Sequence, residues 1–247
     1  ESCTFEYLLQ HKEAPNLGEI INKALERIEE DNHEKLEGIF RNVDFNDRKV
    51  LGDTKEKNSI LKHLLEDFSD SRLDLSPSKL LGNDIIGDSY EYLIAHFASD
   101  AGKKGGEFFT PRKLCEGVVN ILNPILKANG ITKVADITAG SATFLTETVD
   151  YFKDQIIEET GLNEIDAMIK VNERSKMFLQ EKTGTTLILG EMNLLFKNMT
   201  SFIAYNANSI TEYNENIGNT NLDFSNVAKG ECDYVVGNPP YGLNDYG

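Results

Sequence analysis

Basic residues are scarce in this 247-residue chain: 25 lysines and arginines stand against 41 aspartates and glutamates, a formal charge of −16. That is the wrong sign for a protein that grips nucleic-acid phosphates unaided, so such a substrate would require a basic surface supplied from elsewhere. Cysteine is also rare. Cys3, Cys115 and Cys232 are odd in number, far apart and outside any metal-ligand spacing, which reads as reduced, mostly buried thiols rather than a disulfide framework or a zinc site. No apolar run approaches the roughly 18 residues of a membrane span, and the amino terminus lacks a basic stretch followed by an apolar one. The expectation is a globular, cytoplasmic protein without a membrane partner. Two phosphate-binding fingerprints are missing as well, G-x-G-x-x-G and G-K-[ST], which argues against NAD and ATP. The chain begins at Glu1 and ends on Asn-Asp-Tyr-Gly, and this reading takes it as a fragment.

What is present divides into two textures. Leu17, Ile20, Ile21, Ala24, Leu25 and Ile28 fall on one face of a helix, with Glu19, Lys23, Glu26, Arg27 and Glu30 opposite. Apolar clusters from Ile60 to Phe68 and at Ile86, Tyr90, Leu93, Ile94 and Phe97 repeat the pattern, so residues 1–100 read as an all-helical domain. Charged runs such as Asp31 to Lys35 read as solvated helix ends. A glycine-rich link from Gly102 to Gly106 then leads to Thr110, suited to a helix N-cap, and Pro111, suited to its first turn. After Asn129 and Gly130 short apolar segments alternate with helices, the mark of an α/β sheet. Strands are expected at Lys133 to Ile137, Lys176 to Gln180, Phe202 to Asn206 and Cys232 to Val236. Helices are expected at Thr143 to Phe152 and Thr185 to Phe196, and a polar loop from Asn214 to Lys229. The fold class is therefore α/β, a helical domain over 1–100 followed by a second domain over 101–247.

Two segments carry chemistry. Asp136 to Leu145 (Asp-Ile-Thr-Ala-Gly-Ser-Ala-Thr-Phe-Leu) is a strand ending in a carboxylate that turns through small residues into a helix. In a doubly wound sheet such a corner lies at the crevice where nucleotide-like ligands bind. Asp233 to Tyr241 (Asp-Tyr-Val-Val-Gly-Asn-Pro-Pro-Tyr) is an apolar strand ending in an amide, two prolines and an aromatic. Successive prolines cannot continue the sheet and hold the chain stiff, so Asn238 and Tyr241 project from a rigid edge suited to gripping something planar.

Asn-Pro-Pro-Tyr after a strand, with the Asp136 corner upstream, resembles the amino-methyltransferases that act on adenine N6, cytosine N4 or glutamine. Three further stretches narrow the resemblance: Gly87 to Leu93, Gly105 to Arg112 (Gly-Gly-Glu-Phe-Phe-Thr-Pro-Arg), and Gln180 to Thr186 followed by Glu191 to Leu195. Together they resemble the modification subunit of type I restriction systems, from about Leu17 to the end. That resemblance implies a Rossmann-like domain, truncated after its fourth strand, using S-adenosyl-L-methionine to methylate adenine N6 in DNA. It further implies a second copy of the chain as a partner, and a specificity subunit and a restriction and translocase subunit, which would provide the DNA grip that −16 charges deny.

Carried residue by residue, the resemblance implies that Glu107, Phe108, Phe109, Thr110, Pro111 and Arg112 cover the cofactor's methionine end. Asp136, Thr138, Ala139, Gly140, Ser141 and Phe144 form its main loop. Glu181 accepts from both ribose hydroxyls, whose vicinal donors match two carboxylate oxygens, and Asn208 and Ser209 meet its adenine. From pattern alone Glu173, after the apolar run Ala167 to Val171, could hold the ribose instead; the match around Gln180 and Glu181 favours Glu181. Asn238, Pro239, Pro240 and Tyr241 are implied as catalytic, with the Asn238 side-chain oxygen and Pro239 carbonyl accepting the two N6 protons and Tyr241 stacking on a flipped adenine. No metal is required. The sequence departs from the family at Ile137, where proline is usual, at Ala142, where glycine is commoner, and at Asn208, where aspartate is usual. Rival readings are a protein glutamine methyltransferase and a non-catalytic assembly module.

Overall fold

A computed structural model describes residues 2–36, 38–40, 43–73, 89, 92, 93, 96, 110–209 and 232–239. By contacts the chain divides into two compact units, Glu1–Leu81 and Gly82–Gly247. Among the described residues no helix is long and apolar enough to cross a membrane.

The first unit is helical: α1 (Phe5–Gln10), α2 (Leu17–Asp31), α3 (His33–Leu36), α4 (Arg48–Leu51) and α5 (Thr54–Phe68). Its core joins Leu17 and Ile21 of α2 to Leu61 and Leu65 of α5, flanked by Leu8, Leu9, Leu25, Phe45 and Leu51. The helix face expected from spacing thus becomes the packed face. Asp53 caps α5 by accepting from Lys55 and Glu56 N–H, which explains why that helix starts earlier than its apolar cluster. Gly18 is required where it stands: a Cβ there would lie 2.3 Å from the Phe45 carbonyl oxygen. Of the third expected helix, only Ser89, Tyr92, Leu93 and His96 lie within the described residues.

The second unit contains α6 (Arg112–Leu122), β1 (Thr132–Asp136), α7 (Thr143–Thr160), α8 (Glu164–Arg174), β2 (Ser175–Glu181), α9 (Gly184–Phe196), β3 (Phe202–Asn206) and β4 (Tyr234–Val236). The strands form one parallel sheet in the order β3-β2-β1-β4. Val134, Met177 and Leu179 face a core shared with Leu145, Val149, Phe152 and Ile156 of α7, Ala167 and Val171 of α8, and Leu187 and Leu194 of α9. The alternate residues Ala135, Phe178 and Tyr205 form a second cluster, as the two-residue period of a strand requires. All four strands fall where alternation placed them, within a residue or two. The Asn214 to Lys229 segment lies outside the described residues.

Three expectations need correction. Ala167 to Val171 is helical, because Asn163 caps α8 through Asp166 N–H and Ala167, Met168 and Val171 share one buried helix face; Glu173 sits near its exposed end. Thr110 does not cap α6: Pro111 occupies the N-cap position with φ −56° and ψ 130°, and no side chain caps the helix. Of the three thiols only Cys115 is buried, Cys3 and Cys232 being half-buried.

Candidate functional site

Strand order decides where a ligand can enter. From β1 the chain steps outward through β2 to β3, then returns to pair β4 on the opposite side of β1. The C-terminal ends of β1 and β4 are therefore the switch point of the sheet, where departing chains open a crevice. Asp136 pairs in register with Val236, so the Asp136 corner and the Asn238 corner leave the sheet side by side. Their contact is close: a Cβ on Gly237 would come within 3.0 Å of Thr138 Oγ1 and 3.7 Å of Asp136 Oδ1.

The register that produces this meeting has an anchor the sequence reading missed. Asp233 Oδ2 accepts from Lys133 N–H at 2.9 Å, the Asp233 N–H returns a bond of 2.9 Å to the Lys133 carbonyl, and Lys127 pairs with Asp233 Oδ1 at 2.7 Å. Partial burial works against the Asp233 charge, but the bonds from Lys127 and Lys133 and both lysine charges outweigh it and hold its carboxyl below the usual range. The available signal was the acidic residue just before the strand, opposite a lysine-flanked one.

The loop after β1 is tightly wound. Gly140 has φ +53° and Ala142 φ +59°, two left-handed residues at the entrance to α7. Ala139 N–H donates to the Gln180 carbonyl at 2.9 Å, Gly140 N–H to Glu181 Oε2 at 3.1 Å, and Ala142 N–H to the Ala139 carbonyl at 2.7 Å. From behind, Asn193 of α9 donates to the Ser141 carbonyl at 2.9 Å, while the Ser141 and Thr143 hydroxyls bond to each other at 2.9 Å. These N–H groups are spent on the protein itself, so the loop offers a ligand shape and close approach more than donors. Phe144 is buried with Cys115 and Val236, tying α6, α7 and β4 together.

Asp136 is buried, accepting from Thr138 N–H at 3.0 Å. Desolvation pushes its carboxyl up to about 7; the Thr138 bond opposes this and the neighbouring Glu181 charge adds to it. Glu181 is half-buried at the crevice, its Oε1 accepting from Thr183 N–H at 2.9 Å and its Oε2 from Gly140 N–H. A carboxylate has about four acceptor positions, so each oxygen keeps capacity for a hydroxyl donor. Ser209 stands just past the end of β3. Its hydroxyl donates to the Ile137 carbonyl and accepts from Gln180 Nε2 at 2.7 Å, binding the ends of three strands together. Asn208 beside it is buried.

Arg112 reaches α7, with Nε 2.7 Å from Glu147 and an amino nitrogen 3.6 Å from Asp150, which Lys197 also approaches at 3.1 Å. Thr110 meets the other corner: the Asn238 amide nitrogen donates to its Oγ1 at 3.2 Å. Pro239 follows directly. Glu107, Phe108, Phe109, Pro240 and Tyr241 lie outside the described residues.

The fold is a parallel α/β sheet with a small-residue loop and an amide-bearing corner at its switch point, the position where sheets of this class bind ligands. The particular family is shown by comparison with known proteins: residues 81–247 match the N-6 DNA methylase family, and the chain belongs to it. Residues 1–68 match the HsdM N-terminal domain. The type I restriction enzyme MpnII methylase subunit of Mycoplasma pneumoniae is 28% identical over 226 residues, 91% of this chain and 37% of that protein. The MjaIX methylase subunit of Methanocaldococcus jannaschii is 25% identical over 242 residues, 98% of this chain and 36% of that protein. The chain thus spans little more than a third of these relatives' length. A solved type I restriction-modification methyltransferase subunit from Streptococcus thermophilus shares the fold, with TM-score 0.68 and 21% identity, over 97% of this chain and 44% of that one. The expected resemblance to type I modification subunits and the α/β fold class both hold.

Proposed function

We propose that this chain carries the cofactor loop and catalytic corner of a DNA methyltransferase that modifies adenine N6 as the modification subunit of a type I restriction complex. The observation that carries the reading is the meeting of the two corners: β1 and β4 are neighbours in register, Asp136 opposite Val236, so that the Gly140 loop and Asn238 border one crevice. The residues present fit S-adenosyl-L-methionine. Gly140 lets the backbone approach a ligand closely, Glu181 retains acceptor capacity for ribose hydroxyls, and the buried Thr138 Oγ1 and Gln180 Oε1 have no hydrogen-bond partner among the described residues. When bound, that cofactor supplies an electrophilic methyl on a sulfonium. Glu107 to Arg112, Asp136, Thr138 to Ser141, Phe144, Glu181, Asn208 and Ser209 are its proposed surroundings, Ser209 also tying three strand ends together.

The chain's own task is to make an amino nitrogen nucleophilic. An adenine amino group is planar because its lone pair is delocalised into the ring. Acceptors at its two protons favour a tetrahedral nitrogen whose lone pair is available for attack, and Asn238 Oδ1 and the Pro239 carbonyl are the proposed acceptors. Holding the base at a rigid corner beside the loop converts the encounter into a positioned, in-line transfer. Pro240 stiffens that corner, and Tyr241 is the proposed stacking face for an extruded base. Most of the DNA grip is assigned to a specificity subunit and a translocating restriction subunit, with a second copy of this chain completing the assembly, consistent with 41 acidic against 25 basic residues.

The test is Asn238→Ala in the complete polypeptide assembled with its specificity subunit. We expect methyl transfer to target DNA to fall by roughly 100-fold or more, the size of losing one pre-organised partner of the reacting group, with calorimetric cofactor affinity retained. Normal turnover by that variant would remove Asn238 from the catalytic role.

A further inference from the structure

We propose that Thr110 is a positioning residue for the transfer: its hydroxyl holds the Asn238 amide by the nitrogen, so that the amide oxygen faces the crevice. The inference rests on the function proposed above and deepens it. Sequence pattern gives Thr110 the task of capping α6, yet the structure withholds that task, because Pro111 takes the N-cap position and the Leu114 and Cys115 N–H groups both bond to the Pro111 carbonyl. The hydroxyl points elsewhere, accepting from Asn238 Nδ2 at 3.2 Å across 128 residues of sequence.

An asparagine amide is planar, with one acceptor end and one donor end. Turned one way it presents an oxygen to an incoming amino group; turned the other it presents N–H against N–H, and the lone pair is not drawn back onto nitrogen. A hydroxyl can donate as well as accept, so the selection is the one observed: with Nδ2 on Thr110 Oγ1 the amide is held by its nitrogen before the base arrives, which is pre-organisation in the sense that matters for rate. Thr110 can serve because both ends of the bond are mounted on packed elements. On one side α6 is held to α7 by Arg112 with Glu147 at 2.7 Å, and to β4 and α7 through Cys115, Val236 and Phe144. On the other, Asn238 follows β4, whose register Asp233 pins to β1.

A group that merely covers the cofactor and a group that orients Asn238 differ in what they change. The experiment is single-turnover methyl transfer and cofactor calorimetry on the complete polypeptide with its specificity subunit, comparing wild type with Thr110→Val, Thr110→Ala and Thr110→Ser. We expect valine and alanine to slow single-turnover transfer at saturating cofactor roughly ten- to a hundredfold, as removal of one aligned hydrogen bond at a reacting centre does, a loss larger than any accompanying change in the cofactor dissociation constant. Serine, which restores the hydroxyl, recovers most of the rate. Thr110 is only half-buried, so alanine keeps the measurement available should valine strain the turn. Wild-type rates in both hydroxyl-free variants, a serine variant as slow as valine, or a loss confined to cofactor affinity each overturn the inference while leaving the function intact. A wild-type complex that transfers no methyl to adenine overturns the function, and this assignment with it.

Discussion

Replacing Asp136 by asparagine should stabilise the cofactor-free protein, and increasingly so as pH rises. Asp136 is 1% exposed, and burial lifts its carboxyl to about 7 from an ordinary value of 3.8. Below pH 3.8 the folded and unfolded chains both hold the proton, and burial of the neutral acid costs little charge desolvation. Between 3.8 and about 7 the unfolded chain releases a proton that the folded chain keeps, so folded stability falls as pH rises. Above about 7 the full penalty is present and the slope ends. At roughly 1.4 kcal/mol per pH unit, with the slope flattening as the folded value is approached, the gap between wild type and Asp136→Asn widens by about 2 kcal/mol from pH 5 to pH 7, an upper figure because relaxation around a buried charge reduces it. Asparagine keeps an oxygen for the Thr138 N–H bond and removes the charge, exchanging the second oxygen for an NH2 group whose effect does not vary with pH. Because an acid-rich chain repels itself more as pH rises whatever Asp136 does, the quantity to measure is the difference between the two proteins. Denaturant unfolding at pH 5, 6, 7 and 8 provides it. A difference independent of pH would refute the placement of Asp136 as a buried, proton-holding acid.

Two further outcomes follow from the packing around the loop. Arg112→Ala should cost about 1–2 kcal/mol in denaturant unfolding, less than a fully buried pair because its side chain is 39% exposed, though it takes the guanidinium away from Glu147, which is 8% exposed. Gly190→Ala should cost about 1–2 kcal/mol despite alanine's better helix propensity, since its Cβ would lie 3.0 Å from the Gly140 carbonyl oxygen and 3.3 Å from Ala142 Cβ; measured with Ala142→Gly, the pair should cost less than the sum, and strict additivity would contradict the contact.

Much of the second unit was legible because its signals are local. Each strand announces itself by alternation or by an apolar run that ends in a polar residue, and a parallel sheet buried on both faces leaves little freedom in where such runs begin. Ala167 to Val171 shows the limit: five residues of apolar texture fit a strand or one face of a helix equally, and what decides is Asn163, three residues before α8's first acid pair is complete, accepting from Asp166 N–H. The site was legible as two motifs but not as one place, since a neighbouring β1 and β4 is a fact of strand order, and strand order is set by long-range packing. The tasks of Ser209, Arg112 and Thr110 were hidden for the same reason. Each bonds to a residue at least 35 positions away, to Ile137, Glu147 and Asn238, and composition carries no trace of such pairings.

The departure at Ala142 shows how a chain can leave its family's pattern at a point of strain and still build the corner. Ala142 has φ +59° and ψ 25°, a left-handed conformation that glycine adopts freely and a residue with a Cβ resists by roughly 1–2 kcal/mol. Its methyl must also fit where the loop is pressed against α9. It fits because the facing residue is Gly190, whose own missing Cβ would stand 3.3 Å from that methyl. Asn193, one turn further along α9, then ties down the Ser141 carbonyl at 2.9 Å. The loop keeps its tight course around Gly140, and the strain at Ala142 is met by packing rather than by a second loop glycine, which is why a missing family glycine here is not by itself a sign of a decayed site.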